Sequence, residues 1–154
     1  MAVTTRSRRK FLTRVAALLA LPAAVPRAAR AEDGTVDAML RQLTAGARIA
    51  PGRVKLELPT LAENGNSVGL KVSVDSPMSA ADFVRSIHLY AEKNPRPNIA
   101  NFYLGPRSGR AQVVTRVRLA GTQNVLAIAA LSDGSFWSDT AEVTVTNSAC
   151  YDGS

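Results

Sequence analysis

Alternation of apolar and polar residues is the feature of this chain that most restricts its fold. Five segments share it: Val54–Leu58, Val68–Val74, Ile87–Ala91, Val113–Leu119 and Ala141–Val145. Because an extended strand points successive side chains to opposite faces, each segment has one apolar face and one more polar face. Half-buried strands of this kind are typical of antiparallel sheets. The sequence therefore predicts an all-β fold.

Turn-forming residues separate these segments. Asn64-Gly65 is a pair that accepts positive φ, residues 94–98 contain two prolines that cannot donate to a ladder, and residues 132–135 read Ser-Asp-Gly-Ser. The run Val125–Leu131 is apolar on both faces and suits a central strand covered on both sides. With a short strand at Phe102–Leu104, about seven strands are predicted, which fits an antiparallel β-sandwich.

A short helix is predicted ahead of the strands. Apolar residues recur there at spacings of three and four, at Val36, Met39, Leu40 and Leu43. Gly46 then ends the pattern.

The first 31 residues predict an export signal. Residues 7–12 read Ser-Arg-Arg-Lys-Phe-Leu, the order of a bacterial twin-arginine signal, with Arg8 and Arg9 as the pair. An apolar run too short to span a membrane follows, and then Ala29-Arg30-Ala31, a small-x-small cleavage site. We expect residues 1–31 to be removed and the mature protein to reside in the periplasm. No later stretch is long and apolar enough for a transmembrane helix, so no membrane partner is expected.

The signal also accounts for the charge of the chain. Residues 1–31 hold seven of the 19 basic residues and no acid, which leaves 12 basic and 12 acidic residues in 32–154. Since phosphate binding needs a surplus of Lys and Arg on one face, a nucleic-acid partner is not expected for this neutral mature chain. We predict a β-sandwich domain over residues 32–145 and a C-terminal arm over residues 146–154.

The scarcity of Cys and His excludes several kinds of site. The chain has one cysteine, Cys150, and one histidine, His88. A blue-copper site needs two His and a Cys, zinc needs a larger ligand set, and a thioredoxin-like centre needs Cys-x-x-Cys. No metal or cofactor is therefore expected. A Cys150–His88 pair stays open as a thiol-enzyme alternative, although His88 lies on the strand face opposite Ile87 and Leu89.

Cys150 is a lone thiol on a short polar tail of an exported protein. Three roles are open: a buried inert residue, which the four trailing residues disfavour, half of an intermolecular disulfide, or a thiol loaded by other proteins. The steps from Thr146 to Cys150 span roughly 13 Å when extended, enough to enter a partner's active-site channel. A free thiol has a pKa of about 8.5, and no basic residue lies near Cys150 in sequence. Activation by the partner, and hence a carrier role, is favoured.

Five stretches of the mature chain resemble SoxY, the family of sulfur carriers of periplasmic thiosulfate oxidation. They are Ala62–Val68 (AENGNSV), Val72–Met78 (VSVDSPM), Ile87–Pro95 (IHLYAEKNP), Arg118–Gln123 (RLAGTQ) and Leu131–Trp137 (LSDGSFW). The resemblance runs from about Ala38 to Cys150. It implies an immunoglobulin-like sandwich, a non-catalytic carrier, and covalent attachment of thiosulfate sulfur to Cys150.

The resemblance also implies partners. SoxZ, a second sandwich protein, would form a heterodimer with the chain. The c-type cytochrome SoxAX would form the conjugate, the thiosulfohydrolase SoxB would remove sulfate, and in some pathways the dehydrogenase SoxCD would oxidise the remaining sulfane.

The C-terminal arm departs from the family pattern. Typical members end in Gly-Gly-Cys-Gly-Gly, whereas the arm here contains other residues around the cysteine: Asn147, Ser148, Ala149, Tyr151, Asp152 and Gly153. Glycine gives a segment the most backbone freedom, so this arm is stiffer and bulkier. The alternative interpretations are a SoxY-like paralogue with a different sulfur substrate and a structural subunit whose Cys150 forms an intermolecular disulfide.

Overall fold

The structure is a computed structural model, and it describes residues 35–149. One α-helix and nine strands follow in order: α1 (Val36–Thr44), β1 (Ile49–Pro51), β2 (Val54–Glu57), β3 (Leu61–Asn64), β4 (Val68–Val74), β5 (Val84–Ala91), β6 (Asn98–Tyr103), β7 (Gln112–Val117), β8 (Gln123–Leu131) and β9 (Phe136–Asn147). A 3-10 helix, Pro106–Ser108, joins β6 to β7. The predicted β-sandwich is confirmed.

Two sheets make up the sandwich. The larger has the order β1-β9-β8-β5-β6, with β3 also on β9, and the smaller has the order β2-β4-β7. Most neighbours are antiparallel, but β1 and β3 both pair with β9 in parallel. These two strands were not predicted, because neither Ile49-Ala50-Pro51 nor Leu61-Ala62-Glu63-Asn64 alternates between apolar and polar residues. The prolines of 94–98 do precede a strand, which begins at Asn98, earlier than predicted.

The core lies between the inner faces of the sheets. Val72, Ile87, Leu89, Val125 and Val143 are fully buried there. The prediction that Val125–Leu131 is a central strand is confirmed, because β8 lies between β5 and β9 and is buried on both faces.

Helix α1 explains why β8 is apolar on its outer face as well. Leu40 and Leu43 of α1 pack, with Ile49, against a buried cluster of Ile128, Ala130 and Phe136 on the large sheet. Thr35 caps the helix by accepting a hydrogen bond from the Ala38 amide, as N-cap threonines commonly do. The helix ends at Thr44, two residues before the predicted Gly46, and its C-cap residue Ala45 adopts a left-handed conformation with φ of 51°.

No helix within residues 35–149 is long and apolar enough to cross a lipid bilayer.

The difference between a buried and an exposed leucine tests the position of the core. Leu89 is fully buried on β5, whereas Leu61 on β3 is 54% exposed. We expect Leu89→Ala to lower the free energy of unfolding by about 2–5 kcal/mol, since it leaves a cavity. Leu61→Ala should change it by no more than about 0.5 kcal/mol. Urea denaturation of both variants measures this, and equal losses would contradict the assigned core.

Candidate functional site at the C-terminal end of the last strand

The predicted site residues fall on both sides of the last described position. Asn147 ends β9, and Ser148 and Ala149 follow it. Cys150 and the arm residues Tyr151, Asp152 and Gly153 lie outside the described residues. So do the predicted signal residues Arg8, Arg9, Ala29 and Ala31. The structure therefore describes the base from which Cys150 extends.

Parallel pairing with β3 holds the end of β9. Ala62 lies opposite Val145, and Asn64 lies opposite Asn147. The side chains of Thr146 and Asn147 both donate hydrogen bonds to the carbonyl oxygen of Glu63, each at 3.0 Å. Both the backbone and the side chains of residues 146–147 are thus fixed to a segment more than 80 residues earlier.

A chain of backbone hydrogen bonds centred on Gly65 continues this attachment. The Gly65 amide donates to the carbonyl of Asn147 at 2.7 Å, and the Gly65 carbonyl accepts from the Leu119 amide at 2.8 Å. The Leu119 carbonyl in turn accepts from the Ala149 amide at 3.0 Å. Three backbone segments therefore meet at Ala149, the residue before Cys150, and Ala149 is buried.

The meeting point leaves no room for a side chain at position 65. A Cβ added to Gly65 would fall against the Leu119 carbonyl oxygen and 2.8 Å from the Ala149 nitrogen. Gly65 is not among the glycines with positive φ, so the turn reasoning applied to Asn64-Gly65 gave the wrong cause. Glycine is required here because the backbones approach closely.

These contacts correct the predicted boundary of the arm. Residues 146–149 belong to the sandwich, not to a segment that moves independently of it. Cys150 follows this fixed segment directly, because its Cα is one covalent step of about 3.8 Å from that of Ala149. The reach of roughly 13 Å predicted from Thr146 counted residues 146–149 as part of the arm, whereas hydrogen bonds hold this segment on the sandwich.

Buried side-chain amides fix the loop that holds Ala149. Asn94 donates from Nδ2 to the Arg118 carbonyl at 2.8 Å, and its Oδ1 accepts from the Ala120 amide at 2.9 Å. Gln123 donates to the same Oδ1 at 3.0 Å, and its own Oε1 accepts from the Lys93 amide. The sequence did not reveal this network, since Asn94 follows a strand in a loop, and loops usually lie on the surface. It makes the loop a rigid support for the C-terminal end.

His88 lies away from this site. Its Nδ1 is 2.7 Å from Asn101 Oδ1, an acceptor that also receives a hydrogen bond from Asn98, and its Nε2 is 2.9 Å from Ser86 Oγ. Because Asn101 Oδ1 can only accept, Nδ1 donates to it, while Nε2 pairs with the Ser86 hydroxyl. Both ring nitrogens are hydrogen bonded, and His88 as a whole is 6% exposed.

The strand register gives the separation. His88 lies opposite Ile128, and Ile128 lies opposite Ser138 on β9. Ser138 precedes Val145 by seven residues, or about 23 Å along a strand. His88 is thus far along the sheet from the Gly65 contact, and this geometry disfavours the thiol-enzyme alternative.

Within residues 35–149, no three His, Cys, Asp or Glu side chains lie close enough together to hold a metal ion.

Most of the chain matches one known protein family. The family model described as sulfur oxidation protein SoxY matches residues 40–150 of the chain. The chain belongs to the SoxY family. Cys150 is the last residue of that match, so the family match extends to the predicted attachment site. No curated protein matches the chain.

Solved structures support the fold. SoxY from Chlorobium limicola f thiosulfatophilum, described as a sulfur carrier protein, has a TM-score of 0.61 at 24% identity and covers 74% of this chain and 98% of its own. A superoxide reductase (neelaredoxin) from Ignicoccus hospitalis has a TM-score of 0.55 at 23% identity, covering 61% of this chain and 80% of its own. At such identities the likeness shows a shared immunoglobulin-like sandwich, as in SoxY.

A pair of glycine substitutions tests the attachment of residues 146–149. Gly65→Ala should lower the free energy of unfolding by about 1–3 kcal/mol, because the added methyl group forces the backbones apart. Gly69→Ala is the matched control: a Cβ there meets nothing within 4 Å, and the expected change is at most a gain of about 1 kcal/mol.

Amide hydrogen exchange at Ala149 gives the local measurement. Exchange should accelerate in Gly65→Ala and stay unchanged in Gly69→Ala. Equal exchange in the two variants would show that Gly65 does not hold the end of β9.

Proposed function

We propose that the protein is a non-catalytic sulfur carrier that binds thiosulfate-derived sulfur covalently on Cys150 and presents it to enzymes in the periplasm. The observation that carries this proposal is the match to the SoxY family over residues 40–150, which ends on the chain's one cysteine. The rigid attachment of residues 146–149 supports it, since it places the base of the cysteine at a fixed point of an otherwise β scaffold.

The proposed loading step is an oxidation. The thiol R–SH and thiosulfate, S2O3²⁻, give R–S–S–SO3⁻, one proton and two electrons. The new bond joins the sulfur of Cys150 to the outer sulfur of thiosulfate, and a c-type cytochrome such as SoxAX takes the electrons. A thiosulfohydrolase such as SoxB then adds water to the terminal sulfur, which releases sulfate and two protons and leaves R–S–S⁻. A dehydrogenase such as SoxCD would act on that remaining sulfur.

Activation of the thiol belongs to the enzymes in this proposal. His88, the one histidine, is engaged on both nitrogens and lies far along the sheet from residue 149. The scaffold therefore offers no imidazole base near the point where Cys150 leaves it, and a cysteine with an ordinary pKa is only a few per cent thiolate at pH 7.

The structure of the arm base affects how an enzyme would approach. Ala149 occupies the position of a glycine in typical family members, and here it is buried and hydrogen bonded. The cysteine is consequently presented close to the end of the sandwich. We infer that client enzymes contact the rim formed by the loops around Gly65 and Leu119 as well as the cysteine. A SoxZ-like subunit completes the proposed heterodimer.

Replacement of one atom tests the carrier role. Cys150→Ser removes the sulfur and should abolish loading, whereas His88→Gln, which keeps a hydrogen-bonding side chain, should leave it intact. Intact-mass measurement of protein from thiosulfate-grown cells should show adducts of one sulfur or of a thiosulfonate on the wild type and on His88→Gln. A reducible heterodimer with no sulfur adduct would instead indicate the structural-disulfide role. Loss of loading in His88→Gln would indicate a thiol enzyme.

Export is tested at the twin-arginine pair. Arg8→Lys combined with Arg9→Lys keeps the charge and should retain the precursor in the cytoplasm, because the pair itself is the proposed signal. Arg14→Lys makes the same change outside the pair and should allow export. Cell fractionation with mass measurement should find the exported form starting at Glu32. Export of the double variant would contradict the twin-arginine route.

A further inference from the structure

An arginine-lined cleft lies along the open side of the sandwich. It is formed between β6, the edge of the large sheet, and β7, the edge of the small sheet. Its volume is about 430 Å³, within the range of small-ligand sites. Arg96, Arg116 and Arg118 line it, and no carboxylate is among the described residues that do so. The other lining residues are Asn94, Asn98, Ile99, Ala100, Thr115 and Val117.

The cleft concentrates positive charge on a neutral mature chain. Basic and acidic residues are equal in number over 32–154, so three arginines on one cleft are a local excess. Arg116 donates to Ser67 Oγ at 3.2 Å through one nitrogen, and a guanidinium has five N–H donors in all. Burial raises the pKa of Tyr90, which also contacts Asn98, so this phenol adds no negative charge near the cleft.

The planar guanidinium groups of the cleft suit anions that carry several oxygen atoms. Guanidinium groups bind tetrahedral oxyanions through paired, charge-assisted hydrogen bonds, which are about twice as strong as neutral ones. Asn94 and Asn98 also line the cleft, but their amides already bond within the protein, Asn94 to the Arg118 carbonyl and Asn98 to Asn101 Oδ1. Three arginines without a lining carboxylate among the described residues therefore favour an anionic ligand over a cationic one.

The cleft is joined to the base of Cys150 by a short path. Arg118 immediately precedes Leu119, whose carbonyl accepts from the Ala149 amide, and Ala149 immediately precedes Cys150. Bond lengths alone keep the Cα atoms of residues 118 and 150 within about 15 Å of each other. An extended arginine and a cysteine lengthened by a thiosulfonate can span that distance. Asn94 fixes the Arg118 carbonyl and also lines the cleft.

We propose that this cleft binds a sulfur oxyanion, the –SO3⁻ end of the cargo carried on Cys150 or a free anion of the same chemistry. Docking of the sulfonate carried on Cys150 rests on the proposed function, whereas binding of a free oxyanion by the cleft does not. The charged end of the loaded cysteine then docks against the protein that carries it. When hydrolysis releases sulfate, the adduct loses its sulfonate group and the arginines lose their ligand. Docking of this kind distinguishes the thiosulfonate form from the unloaded form.

Two adducts of the purified protein provide the test. Tetrathionate loads Cys150 by disulfide exchange: R–S⁻ and S4O6²⁻ give R–S–S–SO3⁻ and S2O3²⁻. Methyl methanethiosulfonate gives the neutral control: R–S⁻ and CH3SO2–S–CH3 give R–S–S–CH3 and CH3SO2⁻. The two adducts differ in the sulfonate. Amide NMR signals of Arg96 and Asn98, which are distant from Ala149 in sequence, should differ between them.

Salt provides a second readout. The sulfonate adduct should melt at a higher temperature than the methyl adduct at low ionic strength, and the difference should shrink as salt is raised, because the Debye length falls from about 30 Å at 0.01 M to about 3 Å at 1 M. Identical spectra beyond residues 147–149, together with equal melting temperatures, would overturn the proposal.

Arginine substitutions locate the effect. Arg96→Gln and Arg118→Gln should each abolish the difference between the two adducts. Arg107→Gln, on the exposed 3-10 helix and outside the cleft, makes the same chemical change and should preserve it. A difference that survives both cleft substitutions would place the sulfonate elsewhere and overturn the proposal.

A cysteine-free arm separates the two sources of the anion. Cys150→Ser protein is titrated with thiosulfate or sulfate against chloride at equal ionic strength. Shifts of the Arg96 and Asn98 amide signals in this titration would show that the cleft binds free oxyanions. Shifts seen only in the sulfonate adduct would show that the cleft binds the carried group alone. The two proposals can fail separately. Loading of Cys150 in cells, combined with equal spectra of the two adducts, would reject the cleft proposal and support the carrier function. Docking of the adduct in vitro, combined with no loading in cells, would support the cleft proposal and reject the carrier function.

Discussion

The close approach of three backbone segments at Gly65 is the contact on which the functional end of this molecule depends. Gly65 bonds to Asn147 on one side and to Leu119 on the other, and Leu119 bonds to Ala149. A backbone hydrogen bond needs a nitrogen-to-oxygen distance of about 3 Å. Only glycine lets the three segments approach that closely here, because a Cβ would clash with them. The C-terminal strand is therefore anchored up to the residue before the cysteine.

This anchoring changes how a carrier of this family can be understood. A long free arm would pay a larger entropy cost each time an enzyme captures it, since every residue that becomes ordered loses backbone freedom. Here residues 146–149 are already ordered on the sandwich, so that part of the cost is met in folding. The loop that bonds to Ala149 through Leu119 also contributes Arg118 to the arginine-lined cleft.

Sequence patterns accounted for the parts of the fold that repeat. The two-residue period located β2, β4, β5, β7 and the end of β9, and the doubly apolar run located β8 in the centre. The three-residue β1 and four-residue β3 carry no such period, and their parallel pairing with β9 joins distant parts of the chain. The start of the arm was misplaced for a related reason: nothing local to residues 146–149 reveals that Glu63, Gly65 and Leu119 hold them.

By itself, the sequence determined an all-β sandwich with a leading helix, a single cysteine near its end, and resemblance to the SoxY family. These follow from side-chain periodicity, residue counts and local motifs, which are properties of short segments. Only the tertiary structure decided where the fixed sandwich ends, why position 65 must be glycine, and which arginines share a cleft. Those features depend on contacts between residues about 20 to 85 positions apart, and such contacts are set by the packing of strands, not by any one of them.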